Sequence, residues 1–553
     1  MQYSLPSLPL GMSSFSDIRE NHYLYVDKTD LIYNLITRKR FCLLTRPRRF
    51  GKSLLLSTID CLFREGTAQF EGLKIEKLWH EPACRTIYLD LSGFDFQTLD
   101  EFRTALVRQI RLSARSNAMP SDVFSSTNPV ENLDIFVEQA LPSKVVILVD
   151  EYDAPVRSIE DEELKRQVTE YLKTFFTAIK RLSRFCRFIL LTGITRNILT
   201  DEYSCLNFLA DISLQAEYGS LLGYTDKDLD DYFTPYIRNI QAMYHLSEPE
   251  VRNKIRYYYD GYSFERRGKI KVYNNWSVLG LFDDDVFSFS NYWYESGTVS
   301  KELRDFFLQL SLTEDGPVFS KLLATFREGF TVLSGSLNMA PHATASPVAL
   351  LFFLGYLTIE DAFDFKNPQR INLTLPNYEI ESSLARLFYE VVYRTPEETD
   401  LRFFDNWNSI IHQYSELGLL ASLLESIFNT YSYDSNIYAK EALLRDALFV
   451  ICKLKMLNVA REAPNAKGRS DLEIETREER LVFEFKVAKT QADTHRLLNK
   501  AVTQIANRAY GSNLPPKTVI RYAVVISAVA KKVSAIRVTK SDGTLLGEWS
   551  LAL

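Results

Sequence analysis

Lys144–Asp150 reads KVVILVD and Arg187–Gly193 reads RFILLTG, two nearly unbroken runs of apolar and β-branched residues. A strand with one wet face alternates polar and apolar side chains, whereas a strand covered on both faces does not. These runs therefore predict strands in the interior of a parallel sheet. Two more apolar runs, FCLLT at 41–45 and RTIYLDLS at 85–92, precede them. Helical periodicity fills the intervals: SLLLSTIDCLF after the first, about 99–117 and, past an SSTNP loop at 125–129, a second helix to about Ala140 after the second, and about 161–183 after the third. Strands alternating with helices predict a doubly wound α/β domain over about the first 215 residues.

The first strand, loop and helix read LLTRPRRFGKSLLL. A loop that cradles phosphate follows GxxxxGK(S/T): inward backbone N–H groups, a lysine for the β/γ-phosphates and a hydroxyl for Mg²⁺. Gly51, Lys52 and Ser53 fit that pattern at a helix N-terminus, and Arg46 stands where the first glycine would be; an ordinary β–α turn with a basic surface is the alternative. Arg46, Pro47, Arg48, Arg49 and Phe50 make up the rest of the loop. The central strand ends in Asp150 and Glu151, suited to holding a hydrated Mg²⁺ and orienting an attacking water; a solvated acidic turn is the alternative. The next strand ends in TGITRN, offering Thr192 and Thr195 as γ-phosphate sensors and Arg196 for charge stabilisation, in cis or across a subunit boundary.

Beyond residue 215 the clean alternation stops. Residues 216–395 are rich in aromatics and turn residues and predict a mainly helical region with short strands, and 396–553 return to an α/β pattern. The total charge of −6 conceals an asymmetry: Lys440–Leu553 hold 20 Lys and Arg against 12 Asp and Glu, a net of +8, which leaves −14 on the rest. A basic tail on an acidic body points to a polyanionic partner. Six cysteines without CxxC spacing argue for a reducing compartment. The N-terminal stretch lacks the layout of a signal peptide. The longest apolar run, VALLFFLGYLTI, is well short of the ~20 residues that span a bilayer. A cytoplasmic protein with no membrane contact is the expectation.

The tail contains GRSDLEIETREERLVFEFKVAK, two strands joined by a turn. With period-2 alternation Glu484 and Lys486 share one face, Phe483, Phe485 and Val487 the other, and pairing brings Asp471 beside Glu484. Two carboxylates with a lysine one strand-step away make a Mg²⁺ site with a group to polarise water; a polar hairpin with a cross-strand Glu–Lys pair is the alternative. The spacing is that of the PD-(D/E)XK phosphodiesterases. Likeness to that fold implies Glu441, opening an upstream helix, as a further metal ligand, and Gln504, on the helix after the hairpin, as a further polar site residue.

Across nearly its whole length the sequence resembles bacterial AAA-ATPase-like proteins, abundant in gut anaerobes, that fuse an N-terminal P-loop ATPase to a C-terminal PD-(D/E)XK nuclease domain. The resemblance rests on FSDIRENHYLYVDKTDLI, LLTRPRRFGKSLLLSTI, LVDEYDAPV, LTGITRN, YYYDGYSF, VYNNWSVL, NYWYESGT, LGYLTI, GRSDLEIE and FEFKV, in that order. It makes Arg46 a family trait. It implies a P-loop domain at 1–215, a helical lid with a winged-helix-like connector at 216–395, and a restriction-endonuclease-like domain at 396–553. It also implies ATP and Mg²⁺ as cofactors, with Mn²⁺ possible in the nuclease site, a nucleic-acid partner (DNA more than RNA), and a homo-oligomer as one option. Two functions follow: an ATPase coupled to a nuclease, with defence against foreign DNA as a role, or a nucleotide-dependent switch whose tail binds without cutting.

Overall fold

The computed structural model describes residues 5–195, 205–293, 301–313, 316–335, 337, 347–360, 367, 369–393, 407–429, 440–454, 457–465, 468–476, 478–510 and 517–551. Arg196 lies outside the described residues. The chain divides into two compact units: Met1–Gly297 with Gly329–Tyr378, and Thr298–Glu328 with Glu379–Leu553.

The first unit is built on a parallel sheet of β1 (Phe41–Thr45), β2 (Arg85–Asp90), β3 (Val145–Asp150), β4 (Cys186–Gly193) and β5 (Ala210–Asp211), in the order β2-β3-β4-β1-β5. All six residues of β3 are buried, as expected of a strand covered on both faces. The helices include α1 (Lys52–Glu65), α2 (Leu99–Ser116), α3 (Pro129–Ala140) and α4 (Glu162–Leu182). On α1 the buried Leu55, Leu56, Ile59, Leu62 and Phe63 recur at helical spacing, so one stripe faces the sheet. Because β1 and β4 are adjacent and β3 flanks β4, the ends of all three strands meet at one edge. Further along this unit lie α5 (Asn275–Asp283) and a small antiparallel sheet of β6 (Phe330–Leu333), β7 (Thr358–Ile359) and β8 (Arg370–Thr374), ordered β6-β8-β7.

The second unit carries α6 (Glu441–Leu454), α7 (Thr494–Asn507) and a six-stranded sheet of β9 (Asn458–Arg461), β10 (Leu472–Glu475), β11 (Glu479–Ala488), β12 (Thr518–Ser527), β13 (Lys532–Lys540) and β14 (Leu545–Ser550), in sequence order. Only β11 and β12 pair in parallel, and α7 is the crossover that lets them do so. The sequence pattern places the last strand at 518–527; β13 and β14 extend the sheet by two antiparallel strands. Residues 301–328 join this unit through Asp446 of α6. Its buried carboxylate accepts from the N–H groups of Phe319 (2.8 Å) and Ser320 (3.0 Å) at the start of the Phe319–Glu328 helix, and Arg461 pairs with it at 2.8 Å.

Candidate functional site

In the first unit the site grows from the turn between β1 and α1. Gly51 caps α1 with φ +85°, a conformation other residues adopt only under strain. Lys52 is buried, and its Nζ donates to the carbonyls of Arg46 (3.2 Å) and Pro47 (3.1 Å) and pairs with Glu151 at 3.2 Å. The Thr192 hydroxyl donates to Asp150 at 2.6 Å from the neighbouring strand, and the Ser53 hydroxyl also acts on that carboxylate. Burial pushes the Asp150 carboxyl above the usual range, against the pull of those two hydroxyls and of Lys52. Glu151 has φ +50° and behaves oppositely: burial would raise it, but Lys52, Arg157 and Arg48 together hold it below the usual range. The loop lysine, its hydroxyl neighbour and the two strand-end carboxylates thus form one connected group.

Three other residues expected at this site have different surroundings. Arg46 turns its guanidinium into the protein, donating to the carbonyls of Thr45, Ser213 and Tyr218, and its own N–H bonds the Gly193 carbonyl. Thr195 donates to Asp153 through both its N–H (2.9 Å) and its hydroxyl (2.8 Å), so it fastens the end of β4 to the buried Asp153. Arg48 is exposed at the loop tip, within electrostatic reach of Glu151. Sequence reasoning missed Arg157, which bridges Glu151 (2.7 Å) and Asp153 (2.9 Å) from seven residues past the strand end. No spacing rule marks it.

The aromatic blocks of the middle region gather on this same loop. Phe50 is fully buried, edge-on to Tyr262 and Phe264 of the YDGYSF block at 5.0 Å each. Arg49 lies 3.9 Å over the ring of Trp276, and a Cβ at Gly51 would come within 3.2 Å of Asn275; both partners open α5. Gly355 abuts Pro47 so closely that a Cβ there would sit 3.0 Å from the proline ring. The aromatic residues of the middle region therefore form, in part, the wall of the loop.

In the second unit β10 and β11 pair so that Leu472 faces Phe483, and Asp471 lies at the end of that register next to Glu484. Asp471 Oδ2 accepts from the Phe485 N–H at 2.8 Å, and Arg445 of α6 donates to Oδ1 at 2.8 Å. Lys486 Nζ donates to Glu484 Oε1 at 2.8 Å, and Gln504 of α7 donates to the same oxygen. Glu441 stands on the rim, 3.5 Å from Lys486 Nζ. Burial, and then the charge of Asp471, raise Glu484 to about 7, while Lys486 is raised because Glu484, Glu441 and Asp471 outweigh its own burial. Arg445, another residue that sequence reasoning missed, is one helical turn after Glu441; that i, i+4 spacing would have placed both on one face.

The residues fit a divalent cation in part. Glu484 Oε2 is buried with no hydrogen-bond partner, and an adjacent carboxylate repels it, so a cation would relieve both. Yet no group of three or more His, Cys, Asp or Glu side chains converges among the described residues. The fit is to a pair, Asp471 and Glu484, with Glu441 outside it. At the nucleotide loop the Ser53 hydroxyl acts on the Asp150 carboxylate, and these two groups are the donor set a hydrated Mg²⁺ takes.

No helix among the described residues is long and apolar enough to cross a membrane. Residues 9–202 match the family model described as "Predicted AAA-ATPase", and residues 439–536 match that of the "PD-(D/E)XK nuclease superfamily". A protein of Azotobacter chroococcum mcd 1, "Uncharacterized protein in vnfD 5'region", is 27% identical over 529 residues, covering 92% of this chain and 93% of its own. Both matched families are hydrolytic, and each falls on one of the two clusters described above. The chain therefore carries an AAA-ATPase-like domain at its N-terminal end and a PD-(D/E)XK nuclease-superfamily domain towards its C-terminal end.

Proposed function

We propose that ATP bound at the Lys52 loop governs a Mg²⁺-dependent nuclease centred on Asp471, Glu484 and Lys486, acting on nucleic-acid phosphodiesters, DNA before RNA, in the cytoplasm and in defence against foreign DNA. The observation that carries the nuclease half is the free inward oxygen of Glu484 beside Asp471. Lys52 and the loop amides would hold phosphate, Ser53 and Asp150 a hydrated Mg²⁺, and Glu151 the attacking water. At the second site Asp471 and Glu484 would hold Mg²⁺ or Mn²⁺, Lys486 would polarise water, and Gln504 would fix the Glu484 rotamer. A divalent cation supplies Lewis-acid polarisation of a phosphoryl oxygen in either place. The three-part division at about 215 and 395 is kept as a functional reading: ATPase, lid and connector, nuclease. In this reading Arg196 acquires its role if subunits share an ATP site.

The test is incubation with DNA and with RNA, in Mg²⁺ or Mn²⁺, with and without ATP. Cleavage that Lys486→Ala abolishes is expected; no cleavage of either polymer by the wild type would end the nuclease half.

One observation favours a second reading, a nucleotide-dependent switch that binds without cutting: Asp471 is already engaged by Arg445 and by a backbone N–H. Calorimetric titration of Mn²⁺ into the full chain separates the two. A binding event lost in Asp471→Asn but kept in Lys52→Ala supports the nuclease, and its absence supports the switch.

A further inference from the structure

A groove of about 350 Å³ lies on the first unit, lined by Arg108, Arg111 and Arg115 of α2 together with Thr104, Leu112 and Thr127. It is remote from the nucleotide loop in the sheet: α2 packs on the edge strand β2, and β3 and β4 separate β2 from β1. The three arginines recur at i, i+3 and i+7, so they stand on one helix face over about 10 Å. Arg111 is pinned there, its guanidinium donating to the carbonyls of Phe124 (2.7 Å) and Ser126 (3.2 Å). Arg108 and Arg115 flank it, exposed, with no ion-pair partner among the described residues. No carboxylate lines the groove.

Basic residues near a helix C-terminus favour the helix dipole. That effect requires neither a concavity nor a guanidinium locked by two loop carbonyls. Three uncompensated cations facing one cavity repel each other, and an anion with several negative oxygens would remove that repulsion. The lining also says what the groove cannot recognise. It offers guanidinium groups, two hydroxyls and an aliphatic floor, but no aromatic ring to stack a base and no amide or carboxylate to read one. It suits a charged backbone rather than a particular nucleotide.

We propose that this groove is a sequence-independent contact for the phosphate backbone of a nucleic-acid strand, holding successive phosphates on Arg108, Arg111 and Arg115. It rests on the reading that the chain acts on nucleic acid, and it adds a contact on the ATPase unit that the nuclease site does not provide.

The experiment uses the full-length Lys486→Ala chain, so that the probe is not cut, and a fluorescein-labelled thymidine oligonucleotide followed by anisotropy across a salt series. The double variant Arg108→Glu/Arg115→Glu leaves the pinned Arg111 in place, and Arg238→Glu/Arg267→Glu, exposed elsewhere on the same unit, matches its charge change. The groove variant should bind roughly tenfold or more weakly, with the slope of log K against log salt shallower by about 1.4, about 0.7 for each phosphate no longer neutralised. The control should change neither by as much, and binding of a fluorescent ATP analogue should be equal in all. Equal affinity and slope in the groove variant would overturn the groove while leaving the nucleic-acid reading intact. Failure of the parent chain to bind any DNA or RNA would overturn both. Calorimetric binding of inorganic tripolyphosphate that the groove variant loses, alongside unchanged oligonucleotide binding, would assign the groove to a free polyphosphate instead and overturn the backbone contact.

Discussion

Lys52 and Glu151 are joined by an ion pair of 3.2 Å in which the lysine is 4% exposed. Lys52 leads α1 and Glu151 follows β3, so the pair ties the phosphate-binding helix to the strand end whose Asp150 accepts from Thr192. Charge at the loop is therefore shared: the lysine that would meet phosphate is also what keeps Glu151 ionised, with Arg157 assisting.

This sharing predicts different phenotypes for the two partners. Lys52→Ala should weaken ATP binding about tenfold or more, because a buried cation facing the phosphates is gone. Glu151→Gln should bind ATP at close to wild-type affinity but lose hydrolysis by about 100-fold or more, as expected for a water-orienting group. Calorimetry for binding and phosphate release for turnover check the pair; equal turnover in Glu151→Gln and wild type would remove Glu151 from the chemistry.

The loop's rigidity is predicted to come from the distant aromatic blocks. Phe50→Ala removes a buried ring from contact with Tyr262 and Phe264 and should cost about 3 kcal/mol of stability. Trp276→Ala removes the surface under Arg49 and should cost about 1 kcal/mol. Both should also weaken ATP binding, measured by the ATP-induced rise in melting temperature. Destabilisation without any loss of that rise would mean these blocks pack the unit but do not shape the loop.

Asp260 gives a pH signature in the same unit. Burial raises its carboxyl to about 6, opposed by the Gly261 N–H and reinforced by Asp226. The folded chain thus holds this proton to higher pH than the unfolded chain does. Its contribution is favourable at acid pH and is lost as pH rises from about 4 to about 6. Asp260→Asn, which keeps an acceptor for the Gly261 N–H, should be more stable than wild type at pH 7.5 by about 1–2 kcal/mol and no more stable at about pH 4. Urea unfolding at the two pH values measures this; a constant difference would assign the effect to something other than the proton.

Asp446 is predicted to hold residues 301–328 in the second unit. Asp446→Ala uncaps the Phe319–Glu328 helix and leaves Arg461 without its carboxylate, with only the Ser320 hydroxyl to donate to, for a loss of about 3 kcal/mol. Limited proteolysis should then cut within 301–328 first, with ATP binding unchanged. Equal protection of that segment in the variant and the wild type would place its anchorage elsewhere.

How far the sequence was legible depended on the range of the interaction involved. Val145–Asp150 and Phe188–Gly193 are buried on both faces, so their composition alone marked the parallel sheet. Lys52 and Ser53 were visible because a phosphate-binding turn has fixed local spacing, Asp150 because it ends an unbroken apolar strand, and Glu484 and Lys486 share a face because a strand has period two. The strands β13 and β14 were not read: β14 is mostly exposed or half-buried, LLGEWS carries no strong alternation, and partner strands alone define it. The placement of Tyr262, Trp276 and Gly355 around the loop joins residues 200 or more apart, and no local pattern encodes that. Arg46 shows the converse, since a position adjacent to the phosphate-binding turn carries a side chain that braces the 213–218 segment instead.

The most direct measurement is metal-dependent cleavage of linear DNA by the full chain, run with and without ATP and compared with Lys52→Ala and Lys486→Ala. Wild type should cleave only with Mg²⁺ or Mn²⁺ and respond to ATP; Lys486→Ala should fall by about 100-fold or more with ATP binding intact, and Lys52→Ala should cleave without responding to ATP. Cleavage equal in wild type and Lys486→Ala would contradict the account.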